Sequence, residues 1–334
     1  MTLIACRESR IHGEALRLGV PVQALPIERK SVAGVLAMRR WLKAHGVDIL
    51  NTHSSTDTWL TALACATLRN APRIVRTRHI SRAISTDPAT DWLYRRATRF
   101  VVTTGDSLRE QLARDNRIPR ERMASVPTGI DSDRFAPGDR GAARRALHLP
   151  ETLTLIGIVA TLRSWKGHRF LIEAFAGLKR DDVGLVIVGD GPLRAALERQ
   201  VSETGLRERV WMPGNQDDVV PWLRALDVFC LPSYANEGVP QALVQAGLIA
   251  LPSVTTAAGA IGEVAVHERT ALIVQPQDAA ELARALTRLI EDPALRMTLG
   301  AAAREWCRHR FGYETMLERM EAIFQQVAGG RFDS

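Results

Sequence analysis

Short runs of β-branched and apolar residues alternate with longer amphipathic stretches along nearly the whole chain, and the alternation restarts once near the middle. Parallel strands need helical crossovers and are covered on both faces, so this pattern restricts the chain to an α/β architecture with parallel sheets. In the first half, residues 2–6, 22–25, 49–52, 73–76 and 100–103 read as strands, with helices over 32–45, 57–68 and 107–114. A turn-rich passage at 126–138 and a helix at 140–147 separate this half from a second series. There the strands are 153–159, 183–188, 210–212, 228–231 and 271–274, and the helices include 219–226, 240–248, 279–290, 294–309 and 314–327. With 334 residues the chain exceeds what one core usually spans. The expected division is a first domain at 1–140, a second at 141–310, and a C-terminal helix at 311–334 that packs back toward the first.

Charge divides the halves further. Residues 1–140 hold 23 Lys and Arg against 14 Asp and Glu, a balance of +9, whereas 141–334 carry −2. A basic half beside a near-neutral one points to an anionic partner on one side, either a phosphorylated acceptor or an anionic membrane surface. Aromatic residues make up only 5% and no nucleic-acid module is recognisable, so no nucleic-acid partner is expected. The cysteines Cys6, Cys65, Cys230 and Cys307 lie far apart without metal-ligand spacing and read as buried thiols. No apolar run is long enough for a membrane span, and the charged N-terminus argues against a signal peptide, so a cytoplasmic, peripheral protein is expected.

Two segments carry the chemistry. Ser233-Tyr-Ala-Asn-Glu-Gly-Val-Pro240 follows a strand and opens a helix, with Pro240 expected at its first position. Free amides there suit an anion or hydroxyl, and Glu237 can accept hydrogen bonds from sugar hydroxyls. The other segment, 160–168, also joins a strand to a helix and brings Arg163 and Lys166 to amides that could meet a diphosphate. His53 and His79 close two strands of the first half, and Arg76 and Arg78 precede His79.

In this order the segments resemble the family-4 glycosyltransferases of the GT-B fold, two Rossmann-like domains facing across a cleft. The family reads E-G-x-P-x-x-x-x-E-A where this chain has Glu237, Gly238, Val239, Pro240 and then Gln245 and Ala246. Residues 160–167 match G-R-L-x-x-x-K-G, with Thr161 at the arginine position and Arg163 standing in. Residues 188–192, including Gly191, match V-G-x-G-P, and 257–263 match G-G-x-x-E. Residues 127–135 match P-N-G-[IV]-D-x-x-x-F. The resemblance implies a retaining transferase that uses a UDP- or GDP-type sugar donor and needs no metal or cofactor. Arg163, Lys166, Gly191, Gly238, Val239, Pro240 and Gln245 would bind the donor. Glu237 and His79 would act on the transferred sugar, and His53, Arg76 and Arg78 would face a glycan or glycolipid acceptor.

The chain departs from the pattern in four places. Gln245 replaces a ribose-binding glutamate, Ala250 replaces a glycine, and Thr161 replaces an arginine. The family also begins with a strand and glycine-rich loop, expected centrally in the first sheet, so the first domain reads as N-terminally incomplete. These departures keep open a catalytically weak or inactive donor-binding partner, and a related sugar-nucleotide epimerase fits the motifs less well.

Overall fold

The computed structural model describes residues 1–79, 84–235 and 237–329. The chain forms two compact units, one of Met1–Val126 with the chain from Arg319 onward, the other of Pro127–Glu318.

In the first unit the order is β1 (Leu3–Ala5), α1 (Arg10–Arg17), β2 (Val22–Ala24), α2 (Val32–Ala44), β3 (Ile49–Thr52) and α3 (Ser55–Cys65). Then come β4 (Arg73–Arg78), α4 (Pro88–Asp91), a π-helical turn at Trp92–Ala97, β5 (Thr98–Thr103), α5 (Asp106–Asn116) and β6 (Met123–Ser125). The strands are all parallel but lie in two pieces, β1-β2 and β3-β4-β5-β6. Among the described residues β1 and β3 therefore each have one hydrogen-bonded neighbour, although Ile4 and Leu50 pack on the same apolar cluster.

The second unit runs α6 (Arg140–Ala146), β7 (Thr154–Val159), α7 (His168–Gly177), β8 (Val183–Val188), α8 (Arg194–Glu203), β9 (Val210–Gly214), α9 (Val220–Ala225) and β10 (Val228–Leu231). It continues with α10 (Gln241–Leu248), β11 (Ser253–Thr256), β12 (Leu272–Val274), α11 (Ala279–Glu291), α12 (Pro293–Phe311) and α13 (Tyr313–Ala328), whose far end groups with the first unit. Six parallel strands order as β12-β11-β10-β7-β8-β9. β8 is buried at every position, the near-continuous apolar run of a strand covered on both faces. α7 adds Phe170, Leu171, Ala174 and Phe175 to the same core, one stripe at helical spacing. Chain order runs outward from β7 in one direction and from β10 in the other, so the carboxyl ends of these neighbours flank the switch point where open α/β sheets leave a crevice.

The division falls earlier than the turn-rich passage predicts, after 126 rather than 140. Ile130 and Phe135 are buried in the core of the second unit, and the Ile130 and Tyr313 backbones tie 127–135 to the end of α12. At the C-terminus, Arg73 Nη1 donates to Val327 O at 2.8 Å within the first unit. Residues 330–334 of the C-terminal expectation lie outside the described residues.

Ala250 has φ +62°, the left-handed region that favours glycine, and its carbonyl is approached so closely by Gly300 that a Cβ there would meet it at 2.2 Å. The alanine therefore carries backbone strain at the end of α10. The cysteines are free thiols. Burial pushes Cys65 up to about 11 and Cys307 up to about 12, which keeps them protonated and inert. Among the described residues no helix is long and apolar enough to cross a membrane.

Candidate functional site

Glu237 follows β10 and Lys166 follows β7, and the switch point brings them together. Lys166 Nζ lies 2.8 Å and 3.0 Å from the two Glu237 carboxylate oxygens, and Ser233 Oγ donates to Oε1 at 2.5 Å. The carboxylate is nearly closed off, with 5% of its side chain exposed, while the lysine keeps 19%. Three charge-assisted bonds thus hold a buried carboxylate at the crevice, with its cation on the solvent side.

The surrounding loops fit because glycines let backbones touch. A Cβ at Gly167, with φ +77°, would meet Pro232 O at 2.0 Å, and Tyr234 N–H donates to Trp165 O at 2.9 Å. The loop after β7 is thereby sewn to the loop after β10. Gly259, with φ +58°, lies against Glu237 O, where a Cβ would stand 2.2 Å away, and Ala260 N–H donates to that carbonyl at 3.1 Å. Gly191 lets the loop after β8 rest on Leu162, where a Cβ would stand 2.8 Å from the carbonyl oxygen, so its place is in the backbone frame of the 160–163 turn.

Arg163 is exposed, with its guanidinium 5.5 Å from the centre of the Trp165 ring. Gly238 and Val239 are half-buried between Glu237 and the start of α10. Pro240 takes the N-cap position rather than the first helical one, a shift of one residue, because its ψ of 110° is extended while its carbonyl already accepts from Leu243 and Val244. Neither α7 nor α10 has a side-chain cap, which leaves their first amides available. Gln245 lies half-buried on α10, and its side-chain amide makes no hydrogen bond among the described residues. Asn236 lies outside the described residues.

His168, the first residue of α7, is 1% exposed, and neither ring nitrogen has a hydrogen-bond partner. Burial first, and the Lys166 charge second, push its pKa down to about 4. The unfolded chain takes up this proton near pH 6.5 and the folded one does not, so stability falls as pH drops from 6.5 toward 4. The loss should reach on the order of 2–3 kcal/mol at pH 4. His168→Met should remove most of it, as denaturant melts at about pH 7 and pH 4.5 would show; an equal acid loss in the variant would assign the effect elsewhere.

In the first unit, His53 and His79 stand at the ends of adjacent strands β3 and β4. His53 Nδ1 lies 2.9 Å from His79 Nε2, and both rings are exposed. Burial of their inner sides is the largest cause holding both pKa values below the ordinary histidine value. Arg76 and Arg78, expected to face the acceptor, lie inside. Arg76 donates to Ser54 O and Thr58 Oγ1 and stands 3.5 Å from Asp57, and Arg78 donates to Tyr94 OH at 2.9 Å. β4 is buried on both faces from Ile74 to Arg78, so these two side chains lie in the packed interior, where they brace the turn that presents His53 and the π-helical turn.

Sequence alone does not single out Ser233, Asp57 or His168 as functional. Asp57 is legible, since Ser54-x-x-Asp57 is a capping-box spacing, and the structure forms both of its bonds. Ser233 and His168 give no signal beyond their nearness to Glu237 and Lys166.

The sequence and the fold are similar to those of known proteins. The family model described as glycosyl transferases group 1 matches residues 139–306, and that described as Glycosyltransferase Family 4 matches 1–134. The chain belongs to this glycosyltransferase family. It is 29% identical over 317 residues to the 2-deoxystreptamine glucosyltransferase of Streptomyces kanamyceticus, covering 87% of this chain and 79% of that protein. It is 30% identical over 244 residues to the D-inositol 3-phosphate glycosyltransferase of Saccharomonospora viridis, covering 69% of this chain but only 56% of that protein. A glycosyltransferase from Rickettsia africae superposes with a TM-score of 0.89 at 17% identity, covering 98% of this chain and 90% of that one. Anabaena HepE in complex with UDP superposes with 0.82 at 19%, covering 97% and 92%. The fold is the two-domain α/β fold of parallel sheets, GT-B, that these enzymes share.

Proposed function

We propose that the chain moves a sugar from a UDP- or GDP-type donor to a glycan or glycolipid acceptor with retention of configuration. The observation that carries this reading is the Lys166–Glu237 pair at the β7/β10 switch point, a cation and a carboxylate side by side at two uncapped helix starts. The diphosphate would take Lys166, Arg163 and the first amides of α7, so its charge is met without a metal or cofactor. Glu237, released from the lysine, accepts hydrogen bonds from the hydroxyls of the transferred sugar. The bond from C1 to the diphosphate oxygen breaks, the acceptor oxygen bonds C1 from the same face, and the leaving phosphate oxygen takes the acceptor's proton. His79 would act on the transferred sugar in this reading, polarising it.

Gln245 would face the ribose, donating to one hydroxyl and accepting from the other. Gln245→Glu is then expected to tighten nucleotide binding several-fold by calorimetry, since a carboxylate accepts from both; unchanged affinity would place Gln245 elsewhere.

The relatives differ by name in what they glycosylate, so likeness does not choose the acceptor. The basic first unit favours an anionic one or an anionic membrane face on the cytoplasmic side. α1 and α2 expose Ile11, Leu16, Val32 and Leu36, and Arg10, Lys30 and Lys43 in the same stretch of chain are exposed as well. The protein is expected to co-sediment with phosphatidylglycerol vesicles and not with phosphatidylcholine ones, and to be released by about 0.5 M salt. Equal binding to both vesicle types would remove the electrostatic part of this reading.

The reading as a whole is tested by nucleotide release from a panel of UDP- and GDP-sugars with and without acceptor glycans. Steady release supports transfer, binding without release identifies an inactive donor-binding partner, and absence of both contradicts the proposal.

A further inference from the structure

His53 and His79 form a unit of their own. Their rings lie 14° from parallel with centroids 5.3 Å apart, and the nitrogens that face each other are at hydrogen-bond distance. At 2.9 Å one nitrogen must carry the hydrogen and the other the lone pair, because two N–H groups or two lone pairs repel. Each ring therefore dictates the tautomer of the other.

His53 is the better anchored of the two. Its backbone N–H donates to Asp57 Oδ2 at 3.0 Å, and the next amide, of Ser54, donates to the same carboxylate at 2.9 Å. Asp57 in turn closes the cap of α3 and pairs with buried Arg76 on β4. The register sets Thr52 beside Arg76, so β4 runs two residues past the end of β3, and the His53 ring meets that of His79 just beyond the end of β4. His79 has no such support among the described residues beyond the ring of His53.

We infer that His53 is the positioning residue for His79, holding that ring in one orientation and one tautomer. Among the described residues, the charged groups that act on the pair are Asp57 from α3 and Arg76 from β4. Burial and the Arg76 charge lower both pKa values while Asp57 opposes them, and His79 further lowers His53. Both rings are thus neutral above pH 6.5, the state in which a single shared N–H joins them. The link to catalysis rests on the transfer reaction proposed above; the pairing does not.

The test uses the full chain with 15N-labelled histidine. In the wild type at about pH 7.5, well above the ordinary histidine midpoint, His79, assigned through His79→Gln, should show one protonated and one bare nitrogen with well-separated shifts. In His53→Ala the two nitrogens should move together as the tautomers average, and the His79 titration midpoint should rise toward the ordinary histidine value. His53→Asn, whose side-chain amide reaches the place of Nδ1, should restore the separated shifts. Where transfer is measurable, kcat should fall on the order of tenfold in His53→Ala with donor KM little changed, the scale of losing an outer partner of a functional histidine, and recover in His53→Asn. An unchanged His79 spectrum in His53→Ala overturns the pairing. A lost pairing with kcat intact overturns the positioning role. A chain that transferred no sugar would leave the spectral outcome standing, so the two readings fail separately.

Discussion

Glu237→Gln should lower kcat about 10²–10³-fold while donor KM changes far less, the pattern of losing an interaction made mainly in the transition state. As the bond to the diphosphate breaks, the sugar ring gains positive charge and its hydroxyls become stronger donors. With Lys166 turned to the diphosphate, a carboxylate still held in place by Ser233 stabilises that charge with little reorganisation. Glutamine has the same size but no charge, and its amide group would turn a donor toward either Ser233 or Lys166. Steady-state kinetics on the sugar that wild type uses decides the matter: kcat within about threefold of wild type would remove Glu237 from the reaction.

Lys166→Ala should act twice. In the free protein it leaves a carboxylate with 5% of its side chain exposed without its cation, which should cost about 2–3 kcal/mol of stability, below the range for fully enclosed pairs because the lysine end is open. In the complex it removes the cation from the diphosphate, a charge-assisted contact worth roughly 1.5–3 kcal/mol. The two effects oppose one another in binding. Wild type must part Lys166 from Glu237 to admit the phosphate, so the measured loss of affinity should lie at the lower end of that range. Thermal melts with and without nucleotide separate the contributions; a variant as stable as wild type would mean that the pair is not formed in solution.

Periodicity makes the second unit legible. The buried runs at β7 and β8, the stripe on α7 and the proline-started helix near Glu237 are local signals, and the structure forms each within a few residues. What sequence cannot supply is which strands become neighbours. The closeness of Lys166 and Glu237, 71 positions apart, follows from β10 inserting beside β7, a fact of topology that the motif order only implies. Elements with weak patterns escape a reading by periodicity. α1 carries Gly13 in its interior and buries only Ala15, α8 buries only Leu197 and Val201, and β11 is a four-residue strand between turns. The arginines of β4 mislead for a different reason. Charge alone suggests solvent, whereas the partners that let Arg76 and Arg78 lie inside come from α3 and the π-helical turn, remote in sequence. The earlier division of the chain has the same origin, since Phe135 reads as part of a turn until its burial partners are known.

The central claim is that a nucleoside diphosphate binds where the loops after β7 and β10 meet. It is tested most directly by calorimetric titration of UDP and GDP into wild-type protein and Lys166→Ala. The account predicts that one of the nucleotides binds wild type and that the variant binds it about tenfold more weakly, with a smaller dependence on salt. Equal affinity in the two proteins would place the nucleotide elsewhere and contradict the account.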